Sequence, residues 1–105
     1  GSDLDKATLA QLNRGKRLIE VLKQGQYQPL RIALQIGIVY AAVNGFLDEI
    51  ALDKVTAFEK ELFSILNMQY SEMLSKIETE KVLNEEIKTN MDAAIRECQS
   101  LFIDL

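Results

Sequence analysis

An unbroken apolar segment in the first half of the sequence limits the folds that this chain can adopt. Between Ile32 and Val43, Gln35 is the one polar side chain in twelve residues, and Asn44-Gly45 ends the segment. Twelve helical residues cover about 18 Å and a bilayer core is about 30 Å thick, so this segment is too short to span a membrane. A helix that is apolar on every side is typical of a bundle centre. We therefore predict a buried central helix.

The apolar spacing elsewhere divides the chain into five predicted helices. Gly25 and Pro29 mark one break and Asn44-Gly45 another, and neither is followed by the period-two alternation of a strand. Residues 5–24, 30–45, 53–66, 70–78 and 84 onward are predicted to be helical. We expect residues 1–105 to form a single all-α domain, a small helical bundle of about five helices with a buried central helix.

Capping residues and apolar stripes indicate how these helices begin and pack. Asp3 or Asp5 is suited to cap the first helix, whose apolar residues Leu9, Leu12, Ile19 and Leu22 form one stripe. Gly15 falls on that stripe, which suggests that another backbone passes close by. Gly45 is suited to a left-handed helix end.

The later helices carry similar signals. Asp53 is predicted to cap the third helix, and Asn84 to begin the fifth, which places Cys98 in the core. The outer face of the third helix is predicted to carry Lys54, Glu59, Lys60 and Glu61.

The composition removes most catalytic chemistry. The chain contains no histidine and Cys98 is its only cysteine, which excludes an internal disulfide, a thiolate metal cluster and every His-assisted nucleophile. Cys98 is expected to be an inert buried thiol in a reducing compartment. A net charge of -4 disfavours nucleic acid as a partner. The start at Gly-Ser, without a secretory signal, is expected of a piece of a longer protein.

The charged clusters do not restore an active site. The segment from Asn13 to Arg17 contains a Gly-Lys pair, but Ala10 and Arg17 occupy the positions where a phosphate-binding loop needs glycine and Ser or Thr. It is expected to be a helical face with extended basic side chains. The carboxylate pairs Asp48-Glu49, Glu59 with Glu61, and Glu85-Glu86 lie at predicted caps or on charged faces, not in desolvated sites. We expect no catalytic residue, cofactor or metal ion in this chain.

Three segments of the sequence carry a specific resemblance. They are GSDLDKATLAQLNRGKRLIEVLKQGQYQPL, QIGIVYAAVNGFLDEI and DKVTAFEKEL. In order and spacing they closely resemble the C-terminal helical domain of the alpha subunit of F-type ATP synthase, from residue 1 to about Phe63. Past Met68 the resemblance loosens to a helical pattern with an acidic start to the last helix.

The resemblance implies a function that composition alone does not. In that family, beta subunits alternate with alpha subunits around the central stalk gamma subunit, in a membrane-associated peripheral sector without direct membrane insertion. ATP or ADP and Mg bind an upstream domain, so this domain is expected to be non-catalytic. It is expected to be structural and torque-transmitting, in support of ATP synthesis coupled to proton or sodium transport. Asp3, Leu4 and Asp5 match a loop that faces the rotor and corresponds to the acidic lever loop of the beta subunit.

One departure from the family pattern leaves an alternative open. Ile32-Ala33-Leu34 stands where family members usually carry acidic residues, which makes the beginning of the second helix unusually apolar. We therefore expect this beginning either to be covered by a neighbouring element or to contact another chain. The alternative function is an independent helical adaptor domain that docks a partner helix in a groove beside the second helix. A small enzyme is a third and much weaker alternative.

Overall fold

Helices joined by short connections make up most of the chain. The computed structural model describes residues 5–25 and 31–103. Within these ranges it contains α1 (Lys6–Gly25), α2 (Ile32–Val43), α3 (Val55–Gln69), α4 (Ser71–Glu80) and α5 (Glu85–Gln99), with a 3-10 turn at Leu52–Lys54 before α3. No strand occurs in this part of the chain, and the all-α prediction is confirmed.

Local capping signals locate two helix ends correctly and one incorrectly. The Asn84 side chain accepts a hydrogen bond from the Ile87 amide at 2.8 Å, as expected of a cap for α5. Gly45 has a φ of 85°, which confirms the left-handed position after α2. The prediction that Asp53 caps the third helix is wrong. Asp53 lies inside the 3-10 turn, and α3 begins at Val55 without a side-chain cap.

The core is built from the inner faces of α2, α3, α4 and α5. It includes Phe58, Leu62 and Leu66 of α3 and Met91, Ile95 and Cys98 of α5, all of them buried. Gly37 of α2 faces the same cluster, and a Cβ atom there would lie 3.2 Å from the Met91 methyl carbon and 3.3 Å from a Leu66 methyl carbon. The missing side chain therefore lets α2 approach its neighbours closely.

The α2 helix packs into this core, but its burial is one-sided. Its buried residues are Ala33, Leu34, Gly37, Ile38, Ala41 and Ala42. On the other side, Ile32 is 58% exposed and Val43 is 52% exposed. Because α1, α3 and α4 cover only one side of α2, the predicted enclosure on every side is not reached within the described chain. No described helix is both long enough and apolar enough to cross a bilayer.

The α1 helix departs furthest from the predicted packing. Its residues Leu9, Leu12, Ile19 and Leu22 are 46–57% exposed, and among residues 6–23 the buried side chain is instead that of Val21. The predicted stripe therefore does not face the described bundle. No described atom outside the local helix lies within 4 Å of the place where a Cβ of Gly15 would sit. The backbone that we expected beside Gly15 is thus not found in this part of the structure.

Candidate functional site

Asp5, the first residue that the structure describes, belongs to the loop that is predicted to face the rotor. Asp3 and Leu4 lie outside the described residues. Asp5 is exposed, and its Oδ1 accepts a hydrogen bond from the Thr8 amide at 2.8 Å, which makes Asp5 the cap of α1. This hydrogen bond lowers the pKa of the Asp5 carboxyl, so the start of α1 carries a negative charge at neutral pH. A contact of Asp5 with another subunit stays a prediction.

Arg17 connects α1 to the segment that follows α2. Its Nε donates to the carbonyl oxygen of Leu47 at 2.8 Å, and its Nη2 donates to that of Ile50 at 2.9 Å. Nε also lies 3.1 Å from the Ile50 oxygen, and Nη1 donates to the Asn13 oxygen at 3.0 Å. The side chains of Leu47 and Ile50 are buried, so Arg17 binds a backbone that is anchored in the core.

Arg14 binds the same segment one helical turn earlier. Its Nη2 lies 2.8 Å from Asp48 Oδ2 and its Nε lies 3.3 Å from Oδ1, which is a two-point ion pair. The hydrogen bond to Asp48 raises the pKa of Arg14. The guanidinium also lies against Gly45, where a Cβ would come within 2.6 Å of Nη2. Position 45 therefore needs glycine for its backbone angle, and a side chain there would also displace the Arg14 guanidinium.

These two arginines form a junction that the sequence patterns did not predict. We define the junction as Arg14 and Arg17 of α1 together with residues 44–50. Both arginines were expected on a helical face with extended basic side chains, whereas both guanidinium groups bind protein atoms across the junction. One signal was available, because they are three residues apart and lie on the same helical side as Leu18 and Val21.

Glu59 is a second residue whose predicted position is wrong. It was expected on the charged outer face of the third helix, but it is 4% exposed, whereas Lys60 and Glu61 are exposed. Its Oε2 atom is buried without a hydrogen-bond partner. Desolvation raises the pKa of Glu59 to about 7. Helical spacing did not reveal this, because Glu59 sits at the edge of the buried stripe of α3.

Cys98 fits its predicted place as a buried, unreactive thiol. It is fully buried in α5, and its Sγ donates a weak hydrogen bond to the Phe58 carbonyl oxygen at 3.5 Å. Desolvation, with smaller contributions from Glu61 and Glu97, raises the pKa of Cys98 to about 12. The thiol therefore stays protonated at neutral pH and is a poor nucleophile.

A partly buried hydrogen bond joins α2 to α5, where the Tyr40 hydroxyl donates to Asp92 Oδ1 at 2.7 Å. Burial and this carboxylate raise the pKa of Tyr40 to about 12.

In residues 5–25 and 31–103 there is no group of three or more His, Cys, Asp or Glu side chains arranged to hold a metal ion.

Two of the open depressions on the described surface bear on function. One of about 520 Å³ is lined by residues that include Phe46, Arg96 and Gln99. Gln99 donates to the Phe46 carbonyl oxygen at 2.8 Å, which ties α5 to the segment after α2. The other, of about 410 Å³, is an apolar groove along the open side of α2, lined by Ile32, Gln35, Ile36, Val39, Tyr40, Val43, Asn44 and Leu83. The alternative adaptor function predicts a groove for a partner helix beside α2, and this groove lies at that place.

The sequence of the chain is similar to those of known proteins. A family model described as "ATP synthase alpha/beta chain, C terminal domain" matches residues 1–98. The chain is similar to the ATP synthase subunit alpha of two Clostridium botulinum strains, Eklund 17B / Type B and Alaska E43 / Type E3. Each is 46% identical over 103 residues, which cover 98% of this chain and 20% of the relative. The chain thus spans one fifth of the length of these relatives.

Proposed function

Since this chain belongs to the family of C-terminal domains of ATP synthase alpha and beta chains, we propose that it is a non-catalytic, torque-transmitting lever of an alpha subunit. The resemblance seen in the sequence, to the C-terminal domain of an alpha subunit, is confirmed. In the proposed function the domain carries force between the rotor and the nucleotide-binding domain of the same subunit. Its own residues perform no chemical step.

The observation that carries this proposal is the junction between α1 and residues 44–50. A lever must not bend where force enters it, and α1 begins directly after the loop proposed to contact the rotor. Arg17 and Arg14 bind the segment after α2 through hydrogen bonds to Leu47, Ile50 and Asp48. Charge-assisted and two-point hydrogen bonds of this kind are stronger and more directional than neutral ones. The junction supports the view that a push at Asp5 reaches the core instead of bending α1.

The proposed partners follow from family membership. They are the beta subunits and the central stalk gamma subunit, with Asp3, Leu4 and Asp5 as the rotor-facing residues. ATP or ADP and Mg would bind the upstream domain of the parent subunit, and proton or sodium transport would belong to the membrane sector. The domain would thus work in the membrane-associated peripheral sector. The lowered pKa of Asp5 supports a charged contact surface at the start of α1.

The test introduces Arg17→Gln into the full-length alpha subunit and measures both ATP hydrolysis and ATP-driven ion pumping by the assembled synthase. Weakening the junction should reduce ions pumped per ATP hydrolysed, because the nucleotide sites are intact and the lever is less stiff. The matched control is Lys16→Gln, which removes an exposed charge next to the junction. Unchanged coupling in the Arg17→Gln complex, assembled to the same extent, would contradict the proposal.

A second measurement addresses the absence of chemistry in this chain. Ligands that bind a native state raise its melting temperature. Mg-ATP should therefore leave the melting temperature of the 105-residue chain unchanged. A reproducible shift would speak against a purely mechanical domain.

The apolar groove on α2 favours a second candidate function, that of an adaptor for a partner helix. Ile32 at its edge is more than half exposed, and Ile36 and Val39 are partly open. Ile32→Glu in the full-length subunit separates the two functions. An adaptor would lose its partner while coupled pumping stayed normal, whereas the lever function predicts no lost partner outside the synthase.

A further inference from the structure

Glu59 places a carboxyl group inside the described bundle, and the proposed lever function does not use it. Among the described residues it is the one charged side chain that is buried, with 4% exposure, and its Oε2 has no hydrogen-bond partner. Val55 and Leu62, one turn before it and one turn after it in α3, are fully buried. An ionised carboxylate in such a place has neither water nor a donor to stabilise its charge, whereas the protonated form costs much less to bury.

The position of Glu59 around α3 identifies the helix beside it. Phe58 faces α5, because its carbonyl oxygen accepts a hydrogen bond from Cys98 at 3.5 Å, and Glu59 lies about 100° further around the helix. The α2 helix meets α3 two turns later, at Leu66. The α1 helix packs against α3 and against the 3-10 turn Leu52–Lys54 that directly precedes it. Glu59 therefore lies on the side of α3 that α1 covers.

The charged groups around this side of α3 do not compensate Glu59. No residue of α2 is charged, and the residues that α4 packs inward are apolar. The charged or titratable groups on the other packed elements are the half-buried Arg14, Arg17 and Glu20 of α1, the exposed Asp53 and Lys54 of the 3-10 turn, and Asp92, Arg96, Glu97 and Cys98 of α5. Arg14 and Arg17 bind the segment after α2, and Glu20 pairs with Lys23. Desolvation is accordingly the cause of the raised pKa of Glu59.

The α1 helix is held more weakly than the helices of the core. Among residues 6–23 it buries Val21 and partly buries Leu18, whereas α3 buries six side chains. Elements with few buried contacts open locally at a lower free-energy cost than the core does. Most of the stability of a helix in a protein comes from packing of its apolar face, so α1 would lose its backbone hydrogen bonds once it separated from α3.

We propose that Glu59 is a proton-dependent switch that controls the attachment of α1 to α3. With its carboxyl group protonated, α3 packs closely against α1. Ionisation of the carboxyl favours a form in which α1 has separated and Glu59 is hydrated, while the contacts between α3 and α5 remain. The switch needs only the residues of this chain. In the lever proposed above, its consequence would be a less firmly attached α1 on the alkaline side.

The two protonation equilibria define how strongly the separation depends on pH. The pKa of Glu59 is about 7 in the packed form, and a hydrated glutamate has a pKa of about 4.3. Between these values the separated form has already lost its proton and the packed form has not. The equilibrium constant for separation of α1 should therefore increase by about tenfold from pH 6 to pH 8, and it should level off above the higher pKa.

The test measures amide hydrogen exchange of the 105-residue chain at pH 6, 7 and 8, with each rate corrected for the intrinsic effect of pH on exchange. Protection of the α1 amides from Leu18 to Val21 should fall by about tenfold over this range, and protection of the α5 amides from Met91 to Ile95 should fall less. Glu59→Gln keeps the shape of the protonated side chain without its titration, so its α1 protection should stay constant. The matched control is Glu61→Gln, on the exposed side of α3, which should behave like the parent.

Three results would overturn the proposal. Constant protection of α1 in the parent would show that Glu59 does not control its attachment. Equal loss of protection in α1 and α5 would show that the whole bundle unfolds and that α1 does not separate alone. A fall that persists in Glu59→Gln would assign the pH dependence to another group. The comparison of α1 with α5 in the parent needs no substitution, and normal coupling in the Arg17→Gln synthase would contradict the lever function without changing any of these readings.

Discussion

The helices α1 and α3 both have apolar residues at helical spacing, but they turn those residues in opposite directions. In α3, Phe58, Leu62 and Leu66 are fully buried. In α1, Leu12 and Ile19 are more than half exposed. The comparison shows that helical periodicity identifies an apolar face but does not identify the neighbour of that face.

The two helices are consequently held by different forces. The α3 helix is stabilised mainly by burial of apolar area, which tolerates changes of orientation. The α1 helix contributes the buried Val21 and the partly buried Leu18 to apolar packing, and it is also held at the junction by the guanidinium groups of Arg14 and Arg17. Those hydrogen bonds depend on direction and distance, so they fix where α1 lies more narrowly than apolar contact would.

The largest expected effect compares the two apolar faces directly. Phe58→Ala should lower the free energy of unfolding by about 3–5 kcal/mol, because it leaves a cavity in the core. Ile19→Ala should change it by no more than about 0.5 kcal/mol in the isolated domain, because that side chain is already exposed. Urea unfolding followed by far-UV circular dichroism measures both. Similar losses in the two variants would break the contrast between α1 and α3.

A somewhat smaller effect is expected at the junction. Arg17→Ala should lower the free energy of unfolding by about 2–4 kcal/mol, because the carbonyl groups of Leu47 and Ile50 lose a charged donor. Lys16→Ala, which alters an exposed neighbour, is the control and should have little effect. Thermal and urea unfolding of the two variants would sharpen the comparison. Equal stability of the two would show that apolar contact, and not the guanidinium, holds α1.

The smallest effect concerns the charge that α3 buries. The pKa of Glu59 is about 7 in the folded chain, whereas an unfolded glutamate has a pKa of about 4.3. Below both values the carboxyl is protonated in both states. Between them the unfolded state loses its proton first, so stability falls as pH rises towards 7 and then levels off.

Glu59→Gln should remove this decline. The variant should exceed the parent in free energy of unfolding by on the order of 2 kcal/mol at pH 8, and by little at pH 4. Glu61→Gln, on the exposed side of α3, is the matched control. Urea unfolding across this pH range gives both profiles. Parallel profiles for Glu59→Gln and the parent would mean that Glu59 is solvated or finds a partner.

The features that could be predicted from sequence are those with a short range. Asn84 caps α5 through an amide three residues away, and Gly45 adopts a left-handed backbone that most residues avoid. The placement of Cys98 in the core also followed from its position on a long, strongly periodic helix. Asp53 shows the limit of local signals, because a 3-10 turn displaced the start of α3 past it.

The candidate site could be predicted only in part. Asp5 was one of two predicted caps, with Asp3, and part of the loop that resembles the rotor-facing segment, whereas the junction was not predicted. Its partners are distant in sequence, since Arg17 and Ile50 are separated by 33 residues and Arg14 and Asp48 by 34. No pattern within one helix indicates which carbonyl groups an arginine will meet.

By itself, the sequence determined where the helices form, how several of them end and which family the chain resembles. Those properties depend on backbone preferences and contacts within a few residues. The tertiary structure alone decided that α1 turns Leu12 and Ile19 outward and that α3 buries Glu59. The physical reason is that burial is a property of the assembled neighbours, and each helix acquires those neighbours only when distant segments pack together.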